Sequence, residues 1–416
     1  MTQQQTRPAP DPRPIPGAAP SIAAAGAGLV LAALPVFLVG GLAVQIRAEL
    51  GFSEAALGAA VSAAFLTGAC AGPLGGRLAD RVGARIAVLA GGACSVVALL
   101  GIALLAERFW HVAVLLAVSG AGFAVTDPGL AILLQGGVPQ RLQGLAFGVK
   151  EASIPTATLA AGLAVPVIAL TLGWRYAFAI GVVPVVALAA LLPRVTARRP
   201  VRTQTHGETD VAPLPRPVVL LVVVGAALGI AAASGVGVFL TQSAVAMGVS
   251  PGGAGLLLAV ASAAGIAARM GTGLLADRRG GQQLSLIAWM LLAGAVSMVI
   301  GATGVPSLLI VGSMGVFAAA WGWSGLLFLS LVRASPANPG AAAGIGVAGL
   351  AAGNGLGPLG FGVIAAQWSF ADAWLVSAVA AALAAGLMWA ARPAFAASAT
   401  AAAGGTPHAE GVAGRS

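Results

Sequence analysis

The chain has 416 residues, of which 59% are hydrophobic and only 8% charged, with 60 glycines and 25 prolines and a mean hydropathy of +0.97. Soluble domains carry about 25% charged residues, so this composition excludes a water-facing globular surface and predicts a protein of the membrane. The formal charge of +9 does not point to nucleic acid, because 20 of the 21 basic residues are arginines scattered through short segments, without a basic helix or an aromatic-basic module.

Residues 1–20 are polar and proline-rich and lack the basic-then-apolar order of a signal peptide, so they read as a disordered cytoplasmic tail. Apolar runs then predict helical spans near 21–46, 55–76, 86–106, 110–135, 143–170 and 175–193. Residues 194–216 are basic and proline-rich and read as a linker, after which runs recur near 217–246, 252–273, 283–303, 306–332, 341–365 and 370–391. The remainder, 392–416, reads as a second tail. Twelve spans of about 20 residues need about 250 residues, close to the apolar content. Cys70 and Cys94 fall inside apolar runs and His111, His206 and His408 share no ligand spacing, so neither disulfides nor a metal site are expected.

With both ends cytoplasmic, sixteen arginines fall in inner segments and three (Arg47, Arg108, Arg175) in outer ones, which is the orientation the positive-inside rule selects. Trp110, Trp174 and Trp368 sit at outer span ends, as an interfacial belt or as ordinary packing.

The halves at 21–193 and 217–391 are related. Residues 45–83 overlay 242–280 at a constant offset of 197: GFSEAALG faces GVSPGGAG, and GGRLADRVG faces TGLLADRRG. Residues 143–152 overlay 339–348 at an offset of 196. Two parallel six-helix repeats with a site between them at mid-membrane form a transporter architecture.

Between the second and third runs stand Gly76-Arg77-Leu78-Ala79-Asp80-Arg81-Val82-Gly83-Ala84-Arg85, with a weaker copy at Gly273, Asp277, Arg278 and Gly280. This doubled motif resembles the signature of the major facilitator superfamily, and the resemblance covers all twelve spans. It implies an all-α polytopic fold of two pseudo-symmetric six-helix bundles. It also implies a gating role for Gly76, Asp80, Arg81, Gly83, Arg85, Asp277 and Arg278, which latch the inner side when the carrier faces outward. Gly76 would permit close helix approach and Gly83 a tight turn.

Ionisable residues inside spans carry more information about function, since a charge near the bilayer centre costs at least about 2.5 kcal/mol and faces a cavity or a partner. There are four: Asp127, Lys150, Glu151 and Arg269. Arg269 follows Ser262 and Gly265 and precedes Thr272 on one small, polar helix face. The string from Arg269 to Asp277 resembles the eighth span of monocarboxylate and oxalate/formate carriers, where an arginine pairs with substrate carboxylate through its planar fork. The alternative is a structural arginine that bonds a carbonyl. Asp127, before Pro128, and Lys150 are expected to form an inter-helix ion pair, with Glu151 as proton carrier; the alternative places Lys150 and Glu151 as ordinary end-of-helix charges.

Gln45 and Gln242 occupy equivalent positions, where they orient a solute or bond across helices. Trp321 and Trp323 supply an aromatic wall or simple packing. The glycines of Gly353-Asn354-Gly355-Leu356-Gly357-Pro358 resemble the antiporter motif of drug exporters, but in the eleventh span rather than the fifth, and Leu116 stands where those exporters carry an arginine.

Together these residues predict a small-solute transporter working by alternating access around Gln45, Gln242, Arg269 and Trp323. LPVFLVG, FGVKEASIP, GWRYAF and WGWSG resemble bacterial cyanate and organic-anion permeases, which implies an anion as solute. The competing readings are proton-coupled export of a hydrophobic or cationic compound, and a non-transporting receptor. An enzyme is not expected, because no nucleophile-base pair, metal cluster or phosphate loop is present; nor is a cofactor. The expected partners are the solute, lipid and protons, with the chain a monomer in a bacterial plasma membrane.

Overall fold

The computed structural model describes residues 18–195, 215–279, 283–334 and 339–404, with the side chains of a few helix-end residues left undescribed. Among the described residues the regular elements are all helical. Twelve helices are long and apolar enough to cross a membrane: Ala18–Gly41, Glu54–Val82, Ala84–Leu105, Phe109–Gly137, Leu145–Ala169, Trp174–Arg194, Arg216–Ala246, Pro251–Thr272, Gln283–Gly301, Pro306–Phe328, Gly346–Gln367 and Phe370–Phe395, spans one to twelve in order. Odd spans start on the face where the described chain begins, here the terminal face, and even spans start on the opposite, far face. Leu104, Leu105, Val167 and Val186 stand exposed on the outside, as lipid contact requires.

Boundaries move where local chemistry favours helix. The last helix runs on to Gly404 through AFAASATAAA, an alanine-rich segment of high helix propensity where the sequence suggested a tail. The linker at 196–214 and the chain before 18 and after 404 lie outside the described residues. Span two extends to Val82, so the Gly76 to Arg85 motif starts as helix and turns only at Gly83, whose φ of 85° and ψ of 155° suit glycine alone.

The sequence repeat is also a structural one. After span one a short helix, Ala43–Leu50, closes at Gly51 with φ 58°, and Ser53 Oγ accepts from Ala56 N at 3.2 Å to start span two. At the same offset of 197, Gly248 has φ 86° and Ser250 Oγ accepts from Gly253 N at 3.2 Å to start span eight. Both are side-chain caps that satisfy an otherwise orphaned helix N–H.

Backbones approach closely wherever glycine removes the side chain. In the second bundle Gly349, Gly353 and Gly357 of span eleven, spaced by one helical turn each, lie on the carbonyls of Val223, Ala227 and Ala231 in span seven. Between bundles, span two packs antiparallel on span eleven: β-carbons placed on Gly58 and Gly362 would fall 3.0 Å from the Pro358 carbonyl carbon and 2.5 Å from the Glu54 carbonyl oxygen. Span five meets span eight the same way, with Gly162 against Ala259 N and the Gly255 carbonyl. Ser62 Oγ accepts from Leu359 N at 3.0 Å, and Thr241 Oγ1 of span seven donates to the Gly40 carbonyl of span one at 3.0 Å.

These inter-bundle contacts gather in the far half. Toward the terminal face Gly72, Gly76, Gly148, Gly271 and Gly344 have open space at their β-carbon positions. A hollow of about 500 Å³ runs along span two, lined by Ala63, Leu66, Thr67, Cys70, Ala71 and Leu74. The bundles are closed on the far side and parted on the terminal side.

Candidate functional site

The four embedded ionisable residues form one connected cluster. Lys150 Nζ lies 2.5 Å from Asp127 Oδ1 of span four, the ion pair expected from the sequence, and 3.0 Å from Glu151 Oε1. Adjacent helical residues point about 100° apart, but the long, buried lysine reaches past its own helix to satisfy both acids. The side chains of Asp127 and Glu151 are 39% and 45% exposed, against 5% for Lys150, so the cluster presents its acidic edge and covers its basic one.

Arg269 joins this cluster from the other bundle. Its Nη1 donates to the Glu151 carbonyl at 3.0 Å and its Nη2 to the Trp321 carbonyl at 3.2 Å. Both acceptors exist because a helix is interrupted. The Glu151 carbonyl would accept from the N–H of residue 155, which is a proline inside the helix Gln140–Ala164. The Trp321 carbonyl stands free because span ten passes through a π-helical turn, Val316–Ala320, and does not resume as α-helix until Ser324. A guanidinium has five N–H donors, so three remain without a partner among the described residues. The Trp321 indole N–H, which is buried, also has no partner.

Trp321 and Trp323 have opposite fates. Trp323 is fully buried inside the second bundle, its Nε1 donating to the Ala320 carbonyl at 2.6 Å and its ring against Gly229 of span seven. It packs rather than lines a site, which corrects its assignment to the solute. Trp321 lies between the bundles: its ring rests on Gly237, tilts against Phe317 at 5.0 Å and meets Phe37 of span one edge-on at 6.1 Å. This aromatic layer, Phe37 included, closes the far side of the charged cluster. Side chains two apart on a helix point to different faces, and the break after Ala320 decides which tryptophan turns outward.

Gln45 and Gln242 do not join Arg269. Gln45 lies beyond span one in the short helix Ala43–Leu50, and Gln242 is four residues from the end of span seven, about 6 Å. Arg269 is eighteen residues into the helix Pro251–Arg279, about 27 Å from the same face. About 20 Å of depth separates them, too far for one small solute. Gln45 Oε1 and both amide atoms of Gln242 are buried without partners in the closed far interface.

The Gly76 to Arg85 motif lies open on the terminal face. Asp80, Arg81 and Arg85 are exposed, and Asp80 has no hydrogen bond or ion pair among the described residues. Arg85 donates to the carbonyls of Val195 and, at 3.4 Å, Pro193, capping the end of span six. Gly76 faces open space, so the close approach is made instead by Gly75, which lies on the Ala124 carbonyl that Pro128 leaves without a donor. The side chains of Asp277 and Arg278 lie outside the described residues.

On the far face Glu49 of the short helix accepts from Trp174 Nε1 at 2.7 Å and pairs with Arg175, whose other nitrogen donates to the Ala106 carbonyl at 2.7 Å. Arg47 pairs with Glu54. Trp174 is buried here, a structural donor rather than an interfacial residue, whereas Trp110 and Trp368 are exposed. The hydrogen bonds from Arg175 and Trp174 hold the Glu49 carboxyl below its ordinary range.

Twelve spans in two related bundles, parted on one side around a charged cluster embedded in the spans, define a membrane transport protein. The profile of the Major Facilitator Superfamily matches residues 22–332, and the chain belongs to that family. No curated protein matches it in sequence. Among solved structures it is similar to the inward-open xylose transporter XylE from E. coli, with TM-score 0.73, 17% identity and coverage of 89% of this chain and 94% of that one. It is also similar to a point-mutant form of the nucleoside transporter NupG, with TM-score 0.70, 15% identity and coverage of 89% and 99%. A third is a bacterial homologue of the human lysosomal transporter Spinster, inward-facing and occupied, with TM-score 0.66, 15% identity and coverage of 94% and 98%. At these identities the likeness concerns the fold.

Proposed function

We propose that this superfamily transporter carries a small organic or inorganic anion by alternating access, with Arg269 and Trp321 as the solute's contacts and Asp127, Lys150 and Glu151 as the proton-coupling group. The observation that carries the reading is a set of unpartnered groups at the bundle interface: three N–H donors of Arg269, whose Nη2 bonds the Trp321 carbonyl, and the buried indole N–H of Trp321. A buried unmade donor costs about 1–3 kcal/mol, and an acceptor-rich ligand such as a carboxylate removes that cost. With all four groups ionised the cluster is neutral; a proton on Asp127 or Glu151 leaves one positive charge for the anion, which couples the two.

The arginine bias assigns the terminal face to the cytoplasm, so the parted side is the inner one and both chain ends are cytoplasmic. The released motif at Asp80 and Arg81 fits that state. The arginine-rich, alanine- and glycine-rich composition fits a GC-rich bacterial genome and a plasma membrane, and a monomer contains every residue of the site.

Export of a cationic or hydrophobic compound is the second reading, favoured by the exposure of the two carboxylates over the covered Lys150. Thermal stabilisation of purified protein by acetate, oxalate, cyanate, nitrate and cationic dyes separates the two. Anion-specific stabilisation that is lost in Arg269→Ala is the expected result; stabilisation by cations, lost in Asp127→Asn, moves export to first place.

A further inference from the structure

Glu151 faces two ways. Its carboxylate binds Lys150 in its own bundle, while its carbonyl, stripped of a helical donor by Pro155, binds Arg269 in the other. Among the described residues this is a hydrogen bond from a charged side chain across the bundle boundary, placed toward the terminal side of the glycine contacts that hold spans five and eight together at Gly162 and Gly255. A carbonyl oxygen on a guanidinium is the neutral counterpart of a carboxylate oxygen there, and a charged acceptor makes the stronger bond.

We propose that the Glu151 carbonyl is a built-in competitor for Arg269: it occupies one donor in the solute-free protein, pins the bundles together at mid-depth, and is displaced by the solute's anionic oxygen. Pro155 is the positioning residue of this pin, because it alone keeps the carbonyl out of its own helix. The inference rests on the anion reading for the identity of the displacing group, while the pin itself requires no solute. Displacement releases span five from span eight at mid-depth, to the terminal side of those glycine contacts, and because the same residue holds Lys150, the release is felt by the proton-coupling group.

Pro155→Ala returns an N–H to position 155, gives the carbonyl its helical donor and weakens its claim on Arg269. Two measurements test this. The first is the affinity of the anions that stabilise the wild type, which tightens by about tenfold in Pro155→Ala, the factor for one hydrogen bond removed from the competition. The second uses spin labels at Gly148→Cys and Gly271→Cys, positions with room for a side chain, in a background with Cys70 and Cys94 replaced by alanine. Without solute, the distance distribution is narrow in the parent and broad in both Pro155→Ala and Arg269→Ala. Unchanged affinity together with unchanged distances in Pro155→Ala overturns the proposal. Distances that broaden in both variants while no anion stabilises any protein overturn the anion reading and leave the pin standing.

Discussion

Replacing Gly58 by alanine adds a methyl that only one state of the transporter can feel. On the far side of the closed interface that β-carbon falls 3.0 Å from the carbonyl carbon of Pro358 and 3.1 Å from the Cα of Leu359, and nearer still to the Pro358 oxygen; its three nearest neighbours all belong to the opposite bundle. These are backbone atoms, so no rotamer change relieves the overlap and span eleven must shift as a unit. Overpacking of this kind costs about 1–3 kcal/mol. When the far side parts, the methyl faces open space and the cost vanishes, so the far-open state gains by about 5- to 150-fold. Spin labels at Glu107→Cys and Thr303→Cys, both exposed on the far face, report the change as a second, longer distance population. A folded Gly58→Ala protein whose distances match those of the parent refutes the argument, since the closed interface would then tolerate the methyl.

Trp323→Ala, which empties a fully buried site in the second bundle, lowers stability by about 3–5 kcal/mol, whereas Trp321→Phe keeps the melting temperature and weakens solute stabilisation; detergent melting curves with and without anion compare them. Asp127→Asn and Lys150→Gln show losses of transport that are less than additive, with a coupling of about 0.5–3 kcal/mol; strictly additive losses in the double mutant contradict the ion pair. Because Glu49 has its folded pKa held down, its contribution exists above the unfolded carboxyl value and disappears as pH falls through the lower, folded one. Glu49→Gln therefore costs no more than about 1 kcal/mol at pH 7, given the partial exposure of the pair, and nothing once the wild-type carboxyl is protonated, as melting temperatures from pH 7 downward will record.

The spans and their repeat were legible because each rests on local composition: a run of about 20 apolar residues, and strings such as GGRLADRVG and TGLLADRRG recurring at an offset of 197. The Asp127–Lys150 pair was legible for a related reason, since two charges of opposite sign embedded in neighbouring spans compel one another. Depth was harder. Gln45 and Gln242 are equivalent by repeat, but equivalence carries no height: Gln45 falls in the short helix after span one and Gln242 four residues from the end of span seven, both near the far face. Trp321 and Trp323 were told apart by a helix break that depends on how spans seven and nine pack on span ten. Pro155 was visible four residues after Glu151, and that spacing alone announces a free carbonyl; that Arg269 reaches it required the fold, because the two residues are 118 apart in the chain.

The glycine ridge of span eleven has no counterpart in span five, where the corresponding positions are Ser153, Ala157 and Ala161. Span seven and span eleven therefore touch backbone to backbone, while span one and span five meet through methyl and hydroxymethyl groups, Ala161 on Gly41 and Ser153 near Gly26. Alanine has no more rotamers than glycine to absorb a displacement, but at spans seven and eleven the two backbones themselves are in contact and must move as one body. A displacement of span seven, against which the Trp321 ring rests at Gly237, is thereby carried into span eleven and on to its contact with span two at Gly58.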